Sequence, residues 1–172
     1  NVCDLSTDGC FTLGAVVGAV TALSGHPLLS IPAAMGAGVL SGLVTSLLQT
    51  KMGIDSLLSG IIVNTGLYSI NIAIMGGSSL LNMNKTTTIF TMMKSALSST
   101  FLSQSYKLVT ALIFVALVVL FLSFFLKTRL GLSLRATGNN PDMVKSSSIN
   151  PAITTIIGLC ISSSFTALSG CL

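Results

Sequence analysis

The stretch LVTALIFVALVVLFLSFFL, Leu108–Leu126, runs directly into KTRLGLSLRATGNNPDMVKSSSINP, Lys127–Pro151. The first is an uncharged apolar run long enough to cross a bilayer as a helix. The second holds five of the twelve charged residues in the chain, so charge is concentrated just outside the hydrocarbon. A further apolar segment follows, Ala152–Leu172. A polar interval held between two such segments sits at a membrane face. Inside it, Asn140 suits a helix N-cap, Pro141 the first helical position, and Asp142 the first turn, where it complements the helix dipole. These signals predict a short helix over Asn140–Ser147, and Asn150-Pro151 opens the next membrane segment. Such a helix has the shape to dock on another protein; the plainer alternative is a solvated connector.

Composition agrees with a membrane chain. Of 172 residues, 51% are hydrophobic and 7% charged. Soluble domains carry about 25% charged residues. Mean hydropathy is +0.92, so polar surface is too scarce for a water-soluble globule. The net charge of +4 comes from basic residues in the intervals between apolar segments. That placement orients a chain in a bilayer and does not suggest nucleic-acid binding. The cysteines Cys3, Cys10, Cys160 and Cys171 form no C-x-x-C pair, and His26 is the only histidine. Isolated small thiols are expected, with no metal site and no cofactor. His26, between Gly25 and Pro27, reads as a surface turn residue.

Outward from the opening stretch, the predicted architecture is all-α: about five membrane helices, a surface amphipathic helix and the short helix above, in one transmembrane domain over residues 1–172. The other spans are Leu5–Ser24, Leu28–Gln49 and Leu57–Met75. Gly14 and Gly18 make a GxxxG pair, and Ala34, Gly38 and Gly42 a small-residue stripe, both suited to close helix packing. Asn64, Tyr68 and Asn71 fall at i, i+4 and i+7 on the third span. Amides at that depth either bond to other helices or line an aqueous path. Asp4, Asp8 and Thr12 share a face if the first helix extends back to Asp4. They then form a path wall with the amide face, or else the two acids only cap the helix and complement its dipole. In the interval 76–107, Ile89, Met93, Ala96, Leu97 and Phe101 oppose Thr91, Lys94, Ser95, Ser98 and Ser99, which predicts an amphipathic helix at the membrane surface. Lys51, Lys127, Arg129, Arg135 and Lys145 outnumber Lys85, Lys94 and Lys107, so the side bearing the first set is expected to be cytoplasmic.

Three blocks in order carry a resemblance. LRATGNNPDMVKSSSINP, Leu134–Pro151, followed by a segment ending in ALSG, resembles the cytoplasmic loop of bacterial ATP-binding-cassette (ABC) permeases for branched-chain amino acids, simple sugars and nucleosides. DLSTDGCFTLGA, Asp4–Ala15, is similar to an early helix of the same superfamily. TKMGIDSLLSGIIVNTGLYSINIAIMG, Thr50–Gly76, resembles an amino-acid permease subgroup, some of whose members are assigned to aromatic amino acids. The resemblance implies a multi-pass inner-membrane importer subunit that is not itself an enzyme. Its implied partners are a cytoplasmic ABC ATPase, an extracytoplasmic substrate-binding protein, a second permease copy and the membrane lipid, with no nucleic acid. It implies that Arg135, Ala136, Gly138, Asn140, Met143, Ile149 and Asn150 seat on the ATPase. Ser148 stands where the family pattern has Gly, and Cys10 and Cys171 stand where small Ser or Ala is usual. Family permeases are longer, so further helices are expected at both ends. From another class, an ion-coupled secondary carrier would need charges within the membrane, for which only Asp4 and Asp8 are candidates.

Overall fold

The computed structural model describes residues 4–78, 106–146 and 150–172. Among the described residues seven α-helices run in order: α1 (Thr7–Leu23), α2 (Ser30–Thr50), α3 (Ser56–Ile74), α4 (Tyr106–Lys127), α5 (Arg129–Asn139), α6 (Pro141–Ser146) and α7 (Pro151–Cys171). A single 3-10 turn, Pro27–Leu29, joins α1 to α2. No strand occurs among the described residues. Four helices are long and apolar enough to cross a membrane, α2, α3, α4 and α7, and α1 is a shorter apolar helix. The chain is therefore an all-α polytopic membrane protein. The amphipathic helix expected around Ile89–Phe101 lies outside the described residues.

The core is a bundle of α1, α2, α3 and α7. Its inside is small and polar: α2 buries Ser30, Ala34, Gly38, Ser41, Gly42, Thr45 and Ser46, while Leu40, Val44 and Leu47 point outward. Water-soluble bundles have the reverse pattern. In lipid, apolar side chains gain nothing by leaving the hydrocarbon, so helices associate through close backbone packing and hydroxyl bonds instead. The predicted stripe works in this way. A Cβ on Gly38 would lie 2.5 Å from the Ser163 carbonyl of α7, and one on Gly42 would lie 2.9 Å from the Leu159 carbonyl. A Cβ on Gly14 of α1 would collide with the backbone at Ala167. An apolar patch of Leu13, Val63 and Leu67 seals α1 against α3.

These contacts fix direction. Gly14 meets Ala167 and Gly18 meets Cys171, so α1 and α7 are parallel. Gly38 meets Ala167 whereas Gly42 meets Cys160, so α2 is antiparallel to both. Gly60 lies against Leu5 and Gly9 against Asn64, which makes α3 parallel to α1. The Lys51 turn and the start of α7 therefore share one end of the bundle, and the His26 turn lies at the other.

The polar interval after α4 contains more helix than its sequence signals predicted. Thr128 caps α5, accepting from the Gly131 N–H at 3.3 Å and donating to the Phe125 carbonyl at 2.6 Å. Gly131 packs on the last turn of α4 so tightly that a Cβ there would collide with the Phe125 carbonyl. From this elbow α5 runs beside α7, and Leu134 lies against Gly158. The short helix expected over Asn140–Ser147 is present as α6, Pro141–Ser146. Asn150 caps α7 as expected, accepting from the Ala152 N–H at 3.0 Å, with Pro151 following it. Only 6% of the apolar window of α4 is buried, against 28–33% for α2, α3 and α7. In its C-terminal half, Phe121 meets Phe165 of α7 edge to face at 5.8 Å.

Two measurements check this fold. Gly36 and Gly38 both lie inside α2, but a Cβ at Gly36 would enter open space. Gly36→Ala should leave thermal stability in detergent unchanged or raise it by up to about 1 kcal/mol. Gly38→Ala should lower it by about 1–3 kcal/mol through overpacking. For direction, Met52→Cys and Arg135→Cys should react with a membrane-impermeant thiol reagent from one side, and His26→Cys from the other.

Candidate functional site

The polar residues expected along α1 and α3 do meet. The Thr12 hydroxyl lies 2.9 Å from the Gly9 carbonyl and 3.1 Å from the Asp8 carbonyl, so its proton is given to its own helix. Its lone pairs then accept from the Asn71 side-chain N–H, at 2.9 Å. With Thr12 donating to its own helix, the Asn71 amide is assigned with its N–H toward Thr12. Asn71 Oδ1 is left buried with no hydrogen-bond partner among the described residues, and Asn71 as a whole is 5% exposed. Two turns earlier on α3, Asn64 abuts Gly9, where a Cβ would lie 2.6 Å from Asn64 Oδ1. Gly9 thus lets α3 bring an amide against the α1 backbone.

The two faces are not as uniform as their spacing suggested. Seven helical residues rotate by about 20° short of two turns and four by about 40° beyond one. Asn64 and Asn71 therefore stay aligned toward α1, whereas Tyr68 swings to the open edge, where it is 67% exposed. Asp8 and Thr12 are exposed on the same open side of α1. Asp4 does not join them by helical periodicity, because α1 begins at Thr7. Instead its Oδ1 accepts from the Ser6 N–H at 2.9 Å and from the Ser6 hydroxyl at 2.6 Å, closing a tight turn ahead of the helix.

A second polar cluster lies among α1, α2 and α7. Ser6 and Thr45, both fully buried, bring their hydroxyls to 3.4 Å between α1 and α2. The buried Cys10 thiol donates to the Ser163 carbonyl of α7 at 3.2 Å. The hydroxyls of Thr45, Ser46 and Thr154 bond back to carbonyls three or four residues earlier. Such back-bonding lets hydroxyls lie inside an apolar bundle. The sequence signal was their placement on the small-residue stripe, where Ser and Thr serve as well as Gly. Cys10, Cys160 and Cys171 are free thiols, and no metal-binding group of His, Cys, Asp and Glu occurs among the described residues. His26 is exposed in its turn, with Nδ1 3.2 Å from the Ser24 carbonyl.

At the end of the bundle that carries Lys51, α5 and α6 form a projecting pair. Arg135, Ala136 and Gly138 lie on α5 and are exposed, as is Asn140, whose N–H donates to the Ala136 carbonyl at 3.0 Å where the helices meet. Met143 is on α6, Asn150 caps α7, and Ile149 lies outside the described residues.

A bundle of apolar helices with a polar seam inside and a helical projection at one end is the build of a transport permease. Over residues 1–172 the chain matches, and belongs to, the family of branched-chain amino acid transport system permease components. It is 39% identical over 98% of its length to a tyrosine transport system permease protein of Clostridioides difficile, and covers 54% of that protein. It is 31% identical over 99% of its length to an uncharacterized protein of Rickettsia prowazekii, of which it covers 57%. The chain thus spans about half the length of these curated relatives. No solved structure matches it.

A double-mutant cycle with Thr12→Val and Asn71→Leu should return a coupling of about 0.6 kcal/mol, and no more than about 1.7 kcal/mol, the range for interhelical hydrogen bonds in membranes. Unfolding in mixed micelles checks it.

Proposed function

We propose that this chain is part of the permease subunit of an ABC importer in the inner membrane, and that it forms the path for an amino acid. The observation that carries the reading is the α1–α3 seam. Thr12 and Asn71 bridge the helices there, and Asn71 Oδ1 is a buried acceptor without a donor among the described residues. Leaving such a group unpaired costs about 1–3 kcal/mol. A substrate ammonium group would satisfy it during passage, with Asp8 on the adjoining open face supplying negative charge. Asn64 extends the seam, Tyr68 stands at its open edge, and Asp4 precedes the start of α1. The family and the tyrosine-transport relative agree with an amino-acid substrate.

In this reading the α5–α6 pair is the coupling element. Arg135, Ala136, Gly138, Asn140, Met143, Ile149 and Asn150 face a cytoplasmic ATPase, and an extracytoplasmic binding protein delivers substrate to the other end. A second permease copy completes the path. Closure of the ATPase dimer moves α5 and α6, and α5 passes the motion to α7 through Leu134 and Gly158. The exposed cations at this end, Lys51, Lys127, Arg129, Arg135 and Lys145, support its cytoplasmic placement. Asp8 is the only acid within a spanning or apolar helix among the described residues, which sets the reading apart from an ion-driven carrier.

In proteoliposomes containing the full permease with its ATPase and binding protein, Asn71→Leu should lower amino-acid uptake at least tenfold and leave assembly intact. Arg135→Glu should leave insertion and ATP hydrolysis in place while uptake falls. If Asp8 only complements the helix dipole, Asp8→Asn should cost at most about 1 kcal/mol and spare uptake; on the path, it should reduce uptake several-fold. Normal uptake in both Asn71→Leu and Asp8→Asn would sink the path assignment.

A further inference from the structure

A cavity of about 460 Å³ runs as a slot between α2 and α3. Both helices pack more closely on α1 than on each other, and Leu13 and Val17 of α1 form the floor between them. One wall is Ile62, Gly66, Ile70 and Ile74, a row at every fourth residue of α3. The other runs along α2 from Ala37 to Leu48. The helix rises about 18 Å from Ile62 to Ile74, close to one leaflet of a hydrocarbon core about 30 Å thick. Apart from Ser41, which is 4% exposed, the lining residues are apolar or glycine. Gly66 is the informative one. A Cβ there would enter open space, so the missing side chain serves no helix contact among the described residues and instead deepens the slot. Spread over its length of about 18 Å, the cavity has a section of about 26 Å², and a helix about 10 Å across needs about three times that.

At its Leu48 end the slot meets the turn that carries Lys51. The Ile54 N–H donates to the Leu48 carbonyl at 3.3 Å, which folds the turn back onto this end of α2. The turn holds one cation and one anion, Lys51 and Asp55, both exposed. Asp55 stands at the N-cap of α3, yet its carboxylate makes no cap hydrogen bond. We propose that the slot binds a zwitterionic aminophospholipid, with one acyl chain along Gly66, the phosphate on Lys51 and the ammonium on Asp55. The site is separate from the amino-acid path, because neither Asn64 nor Asn71 lines the slot. An acyl chain is slender enough to follow the slot and brings no backbone polar group into hydrocarbon. Lysine at the end of a membrane helix reaches readily to the depth of the phosphates. A headgroup without an amine would satisfy Lys51 and leave Asp55 beside a negative phosphate with no counter-charge.

Native mass spectrometry of the full permease, extracted from vesicles of equal parts phosphatidylethanolamine and phosphatidylglycerol, tests this. The wild type should retain one phospholipid per chain, with phosphatidylethanolamine favoured at least threefold. Gly66→Leu fills the slot without a clash and should cut retention at least tenfold. Asp55→Asn should keep a lipid but erase the headgroup preference, and Lys51→Glu should reduce retention of both lipids several-fold. A wild type that retains no lipid would overturn the proposal, and so would equal retention in the wild type and Gly66→Leu. Retention with no preference between the two lipids in the wild type would overturn the zwitterionic assignment. Failure of Gly66→Leu to assemble would mean that another helix occupies the slot, and the lipid site would fall.

Discussion

The bundle depends on one constraint: α1, α2 and α7 must approach until their backbones touch. Gly14, Gly38 and Gly42 leave no room for a Cβ against the carbonyls of Leu159, Ser163 and Ala167. In hydrocarbon, dispersion and hydrogen bonding must hold helices together, and both fall steeply with distance. The close approach also shelters the hydroxyls of Ser6, Thr45 and Ser163 and the thiol of Cys10 within the bundle. The outward surfaces, Leu40, Val44 and nearly all of α4, are left for lipid or for neighbouring protein.

That constraint explains why much of the fold was legible in the sequence. Ala34, Gly38 and Gly42 recur every four residues, and all three are buried where the stripe predicted. The Asn140, Pro141 and Asp142 start signal marked α6, and Asn150-Pro151 marked α7. Helix α5 was harder to see. Arg129, Arg135 and two glycines make its composition that of a loop, and its apolar contacts reduce to Leu130 and Leu134 against α7. Its cap, Thr128, was the available signal. The place of Asp4 was left open for a different reason. A carboxylate two residues ahead of a serine can end a helix or precede one, and periodicity cannot choose between them. Here the bonds to Ser6 hold it before the helix.

From spacing alone, Asn64, Tyr68 and Asn71 read as one face of α3, and the face in the structure is narrower. Asn64 and Asn71 turn inward and Tyr68 does not, because four residues overshoot a turn and seven fall short of two. The bridge to Thr12 needed coordinates, since nothing in the spacing of either helix sets their relative height.

The Gly131 elbow gives α4 and α5 the mechanics of a crank. With the Phe125 carbonyl pressed on Gly131 and the Thr128 hydroxyl bonded to both flanks, the joint has little slack to absorb rotation. The 22 residues of α4 span about 33 Å. A tilt of about 5° passed through a rigid joint would swing the far end of α4 by roughly 3 Å, more than half a helical turn's rise. Among the described residues α4 has the least buried apolar window of the long helices, so a small push at one face of the bilayer would emerge, amplified, at the other.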